Sequence, residues 1–169
     1  RSSKTKEANK AIVTFGGSDP NNLTQKTADI LGNKAFYILG PLYGEGRKDQ
    51  LLLTVSPENI INAPVDTYSY LASCPCIITA LGTTLQEVEL LQVPCFIIAN
   101  YKHDITDFEA IKDCSTNPKN YENCIYFKEN FAEKITDFVI KNQKNVNSQI
   151  YDAETHNLQA VTRWLDLLR

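Results

Sequence analysis

Four short segments combine chemically useful residue types with places where a strand would turn into a helix. The first is Phe15-Gly16-Gly17-Ser18-Asp19-Pro20-Asn21-Asn22. Gly16 and Gly17 let the backbone turn tightly and approach a ligand closely; Ser18 or Asp19 can cap the following helix, and Pro20 suits its first turn. Exposed amides at such a turn bind anions, yet a capped helix start alone explains most of these residues, and an inward-pointing Asp19 carboxylate would oppose a phosphate. The segment lacks the Gly-Lys-Ser/Thr ending of a Walker loop and the third glycine of a dinucleotide fingerprint.

The second segment is Leu81-Gly82-Thr83-Thr84-Leu85-Gln86-Glu87. Thr84 and Glu87 stand three apart, the spacing of a capping box. The same residues support a chemical reading, with Gly82, Thr83 and Thr84 offering amides and hydroxyls to phosphate oxygens. Glu87 would then accept hydrogen bonds from the two hydroxyls of a ribose, each worth about 1.5–3 kcal/mol because the acceptor is charged. One carboxylate cannot serve both roles fully.

In the third segment, Asn62-Ala63-Pro64-Val65-Asp66-Thr67-Tyr68, Asp66 is the expected cap, and backbone groups near Val65 could read the edge of a flat base. The fourth runs from Ala99 through Asn100, Tyr101, Lys102, His103 and Asp104 to Asp107, gathering polar side chains where a sugar would lie. Histidine is the residue type suited to proton exchange in catalysis, so His103 is the candidate catalytic group, with a solvated turn residue as the alternative, since spacing fixes no partner for it. His156 is expected to be exposed and inert.

These turns need strands to hold them. Apolar runs at 11–15, 35–39, 59–63, 76–80, 95–99 and 124–127 are rich in branched residues and suit strands covered on both faces. Helices are expected at 21–31, 47–54, 67–73, 84–91, 105–112, 131–142 and 153–168, the last carrying an apolar stripe of Leu158, Val161, Leu165 and Leu168. Polar stretches at 113–123 and 141–148 are expected to be loops. Alternating strands and helices imply a Rossmann-like α/β fold, a parallel sheet with helices on both faces, whose ligands lie beyond the carboxyl ends of the strands.

Composition is consistent with this. The chain has 169 residues, 43% hydrophobic and 22% charged, with 17 basic against 20 acidic side chains and hence a net charge of −3. That balance argues against broad nucleic-acid binding, and no run approaches the roughly 20 apolar residues of a membrane span. Five cysteines, Cys74, Cys76, Cys95, Cys114 and Cys124, match neither a redox pair nor a zinc site, so buried reduced thiols in a cytoplasmic protein are expected, with no metal and no cofactor. Residues 1–10 carry four basic groups without an apolar stretch and are expected to be a linker stub, leaving 11–169 as one domain.

Taken in order, GGSDPNNLT after a strand, a Val-Asp turn, and LGTTLQEVELLQVP after another strand resemble the C-terminal half of nucleotide-sugar enzymes of the GT-B fold. The similarity is greatest to the UDP-sugar hydrolases of pseudaminic acid biosynthesis and extends to MurG-type glycosyltransferases. The resemblance implies a half that grips UDP: Gly17, Ser18, Thr83 and Thr84 near the diphosphate, Val65 at the uracil and Glu87 on the ribose; Gly16, Gly82 and Asn100 complete the expected binding residues from their places in the turns. It implies catalytic machinery in a second domain, so this chain alone is expected to be inactive. The alternatives are a nucleotide-sugar-binding module fused to an acylneuraminate-type (sialic-type) cytidylyltransferase, or a structural, dimerising domain.

Overall fold

In the computed structural model, residues 10–115 and 121–145 are described. The expected final helix, the first nine residues and His156 lie outside them. Six strands form one sheet: β1 (Ala11–Thr14), β2 (Ala35–Leu39), β3 (Ile60–Asn62), β4 (Ile77–Thr79), β5 (Cys95–Ala99) and β6 (Tyr121–Tyr126). Their order is β3-β2-β1-β4-β5-β6, with every pairing parallel. This is the Rossmann order, and β1 and β4, though adjacent, send their chains off in opposite directions, creating the switch point at which such sheets bind ligands.

The helices are α1 (Leu23–Leu31), α2 (Glu45–Leu51), α3 (Thr67–Ala72), α4 (Thr83–Leu91), α5 (His103–Cys114) and α6 (Ala132–Asn145). Strand alternation divides the interior in two. Val13, Tyr37, Ile78, Phe96 and Ile98 pack with Leu23 and Leu31 of α1, Leu51 of α2 and Ile135, Phe138 and Val139 of α6. Ile12, Ile38, Ile77, Cys95 and Ile97 pack on the other side with Leu71 of α3, Leu85, Val88 and Leu91 of α4 and Phe108 of α5. Each such fully buried side chain contributes about 1.5–3 kcal/mol, which fixes the register and hence which turn stands beside which.

Several boundaries differ from the sequence expectation. Asn22 adopts the left-handed region (φ 52), so α1 begins at Leu23 and Pro20 falls in the preceding turn, outside the helix. The expected loop at 113–123 is shortened from both sides, because α5 runs to Cys114 and β6 starts at Tyr121. Residues 141–145 belong to α6 instead of a loop; buried Asn142 donates to the Phe138 carbonyl (2.8 Å) within that last stretch.

Cys74, Cys76, Cys95 and Cys124 form no disulfide among the described residues. Burial, reinforced by neighbouring Cys76, pushes the Cys74 and Cys95 thiols up. The Cys124 thiol is pushed up to about 12, by burial first and then by Asp104 and Glu109.

Candidate functional site

Because all strands run the same way, the turns after β1, β3, β4 and β5 leave from one edge of the sheet. Two are tied together directly: Asn21 Nδ2 donates to Asn100 Oδ1 at 2.9 Å, spanning the β4 turn that lies between them. Asn100 thereby joins the first turn at the switch point.

The first turn uses its glycines as the sequence suggests. Gly16 takes φ 75, and Gly16, Gly17 and Ser18 are exposed. Its helix amides are another matter. Asp19 is 2% exposed, and its two carboxylate oxygens accept the amides of Leu23 and Thr24, each at 2.8 Å. The N-terminal end of α1 is satisfied by a carboxylate of this chain, so the anion site expected at that helix start is taken. What the turn still offers a ligand is the backbone around Gly17 and Ser18.

At α4 the situation is reversed. Gly82 is the N-cap, in an extended conformation and without any side-chain cap. The capping box expected between Thr84 and Glu87 does not form, because the helix begins one residue earlier and Thr84 sits inside its first turn. Leu85 donates to the Gly82 carbonyl (3.0 Å), while the Thr83 and Thr84 amides find no acceptor among the described residues. Glu87 is half-exposed, and its carboxylate makes no hydrogen bond or ion pair among the described residues. It lies one turn further along, about 5–6 Å down the axis from Thr83 and on the same face.

The third turn projects Val65 fully into solvent, at 107% relative exposure. Asp66 caps α3 as expected, accepting the Ser69 amide at 3.0 Å and the Ser69 hydroxyl, and these bonds hold its carboxyl below the usual range. β3 is the sheet edge, so this turn stands three strand spacings from β4, about 14 Å.

In the fourth turn His103 is stacked on Tyr101, with centroids 5.4 Å apart and planes 5° from parallel. The His103 side chain is 72% exposed, and its Nε2 lies 3.4 Å from Asp104 Oδ1. Asp104 Oδ2 accepts the Tyr101 amide (3.0 Å). Among the described residues His103, Asp104 and Asp107 form the group able to hold a cation, with ligand atoms within 4.8 Å of one another. They occupy the first turn or so of α5, where the helix dipole favours anions over cations, and both Asp104 oxygens already have partners.

Three residues escaped the sequence reading. Arg47 of α2 donates Nη1 to the Asp19 carbonyl and Nη2 to the Ser18 carbonyl, both at 2.7 Å. Gly40 lies so close to the first turn that a Cβ there would stand 2.1 Å from the Gly16 carbonyl oxygen and 2.6 Å from Gly17. Asn21 bridges to Asn100. Their partners are distant in sequence, and no local motif announces such contacts.

Among the described residues no helix is long and apolar enough to cross a membrane. No family model matches the chain, and no curated protein does. One solved structure to which the chain is similar is the spinosyn rhamnosyltransferase SpnG, at 16% identity and a TM-score of 0.46. The match covers 93% of this chain and 45% of that protein, so the chain spans less than half its length.

Proposed function

We propose that this chain binds the UDP part of a nucleotide sugar, as the C-terminal half of a GT-B-like UDP-sugar hydrolase or glycosyltransferase. The observation that carries the reading is the contrast between two helix starts at the switch point. That of α1 is filled by Asp19, whereas that of α4 is uncapped, glycine-lined and hydroxyl-flanked. A diphosphate at Gly82, Thr83 and Thr84 would accept free amides and hydroxyls in the positive field of a helix N-terminus. Glu87, one turn along and without a partner among the described residues, is then within reach of the ribose hydroxyls. The base would extend toward β3, where the backbone beside Val65 is open to solvent, and the sugar toward Asn100 and His103.

The finer reading, hydrolysis or transfer in pseudaminic or sialic-type acid or surface polysaccharide biosynthesis, rests on the sequence resemblance. In it, a second domain closes the cleft and supplies catalytic groups, because a site open to water cannot hold reactants in attack geometry. Four cysteines outside any disulfide among the described residues support a reducing, cytoplasmic setting. Calorimetric titration with UDP, with CMP as comparison, tests the binding claim. UDP is expected to bind and CMP to bind more weakly; absence of UDP binding by folded protein overturns the proposal.

A further inference from the structure

We propose that Arg47 is a positioning residue for the diphosphate site, aiming the backbone of the first turn at the ligand without touching it. The inference rests on the nucleotide reading above. Three consecutive carbonyl oxygens of the turn are drawn to the β2–α2 connection and to α2 itself: Gly17 O accepts the Leu42 amide at 2.9 Å, and Ser18 O and Asp19 O accept the two arms of the Arg47 guanidinium. A planar guanidinium presents its donors in a rigid fork, which holds two successive carbonyls with little loss of side-chain freedom. The fork is itself seated, with its central carbon 4.6 Å from the ring centre of buried Tyr43, whose hydroxyl lies 3.4 Å from Asn22 Oδ1. Gly40 admits the close approach, since any Cβ there would collide with the turn.

The consequence follows from peptide geometry. In a trans peptide the carbonyl and the following N–H point in opposite directions. With the Gly17 carbonyl held by the Leu42 amide, the amide of exposed Ser18 is turned the opposite way; Arg47 locks the next two peptides, of which the first carries the N–H of buried Asp19 and the second, leading into Pro20, carries none. β4, the other neighbour of β1, leads into the helix that carries the free amides of Thr83 and Thr84. Arg47 thus fixes the conformation in which the first turn presents its Ser18 amide at the switch point.

The test is UDP titration of the wild-type chain, Arg47→Ala and Arg47→Lys, with the folded fraction of each measured by circular dichroism. Loss of two bonds from a charged donor that orders, but does not contact, the ligand should weaken binding per folded molecule about tenfold in Arg47→Ala. Lysine retains the charge but not the fork, so Arg47→Lys should recover only part of the loss, remaining about threefold weaker than wild type. Arg47→Lys reports on the proposal even where the alanine variant folds poorly. Wild-type affinity in Arg47→Ala overturns it, and wild-type affinity in Arg47→Lys overturns the fork in favour of charge alone. A wild-type chain that fails to bind UDP sinks the nucleotide reading, and this inference with it.

Discussion

Asp19 offers the sharpest single perturbation. Its carboxylate is buried, caps α1 through two 2.8 Å bonds, and its own backbone is held at φ 44, in the left-handed region. Asparagine retains one acceptor oxygen and tolerates that conformation, but turns an amino group toward the second amide; Asp19→Asn should cost about one charge-assisted bond, roughly 2 kcal/mol. Alanine removes both bonds, leaves two buried amides unpaired and keeps a Cβ in the left-handed region without the polar group that makes it tolerable for Asp, for about 4 kcal/mol. Glycine removes the same bonds without that strain, so Asp19→Gly should be the more stable of the two by about 1 kcal/mol. Urea unfolding followed by far-ultraviolet circular dichroism reads all three midpoints. The order Asp, Asn, Gly, Ala is expected, and an Asp19→Ala midpoint equal to wild type would refute the account of the α1 cap.

Glu87→Ala should weaken UDP binding by about 1.5–3 kcal/mol while leaving the urea midpoint nearly unchanged, because the carboxylate caps nothing; a loss of stability with unchanged affinity would restore the capping-box reading. Gly40→Ala should cost about 2–3 kcal/mol in thermal unfolding and also weaken UDP binding, since the new methyl must push the first turn aside. The raised thiols give a pH signature. The unfolded chain releases these protons near the ordinary cysteine value of 9.0, whereas folded Cys124 holds its proton to about 12. Stability from this source is therefore intact below pH 9 and falls as the pH rises toward 12, which urea midpoints measured from pH 7 to 11 will show. Incubated with UDP-sugars, the chain alone should release no UDP above the rate without protein, as checked by coupled assay of free UDP.

Much of the scaffold was legible because the strands buried on both faces are written as uninterrupted branched runs; β2 and β5 match their apolar segments residue for residue. Helix ends were less legible. α5 begins at His103 without any side-chain cap, and α6 continues through polar residues to Asn145. The Thr84 and Glu87 spacing fits a capping box only when the threonine stands at the cap, and Gly82 takes that place. The Asp19 alternative was visible in sequence, but deciding it required knowing that the side chain points inward. Arg47 was invisible, since its partners are backbone carbonyls 28 and 29 residues away and are recognised only once β1 and β2 are paired.

The most direct test of where a diphosphate sits is a UDP titration followed by proton–nitrogen correlation spectra. Saturable shifts at the amides of Gly82, Thr83 and Thr84, with the Leu23 and Thr24 amides unmoved in their bonds to Asp19, are expected. Shifts concentrated at Leu23 and Thr24, with none at residues 82–84, would contradict the account.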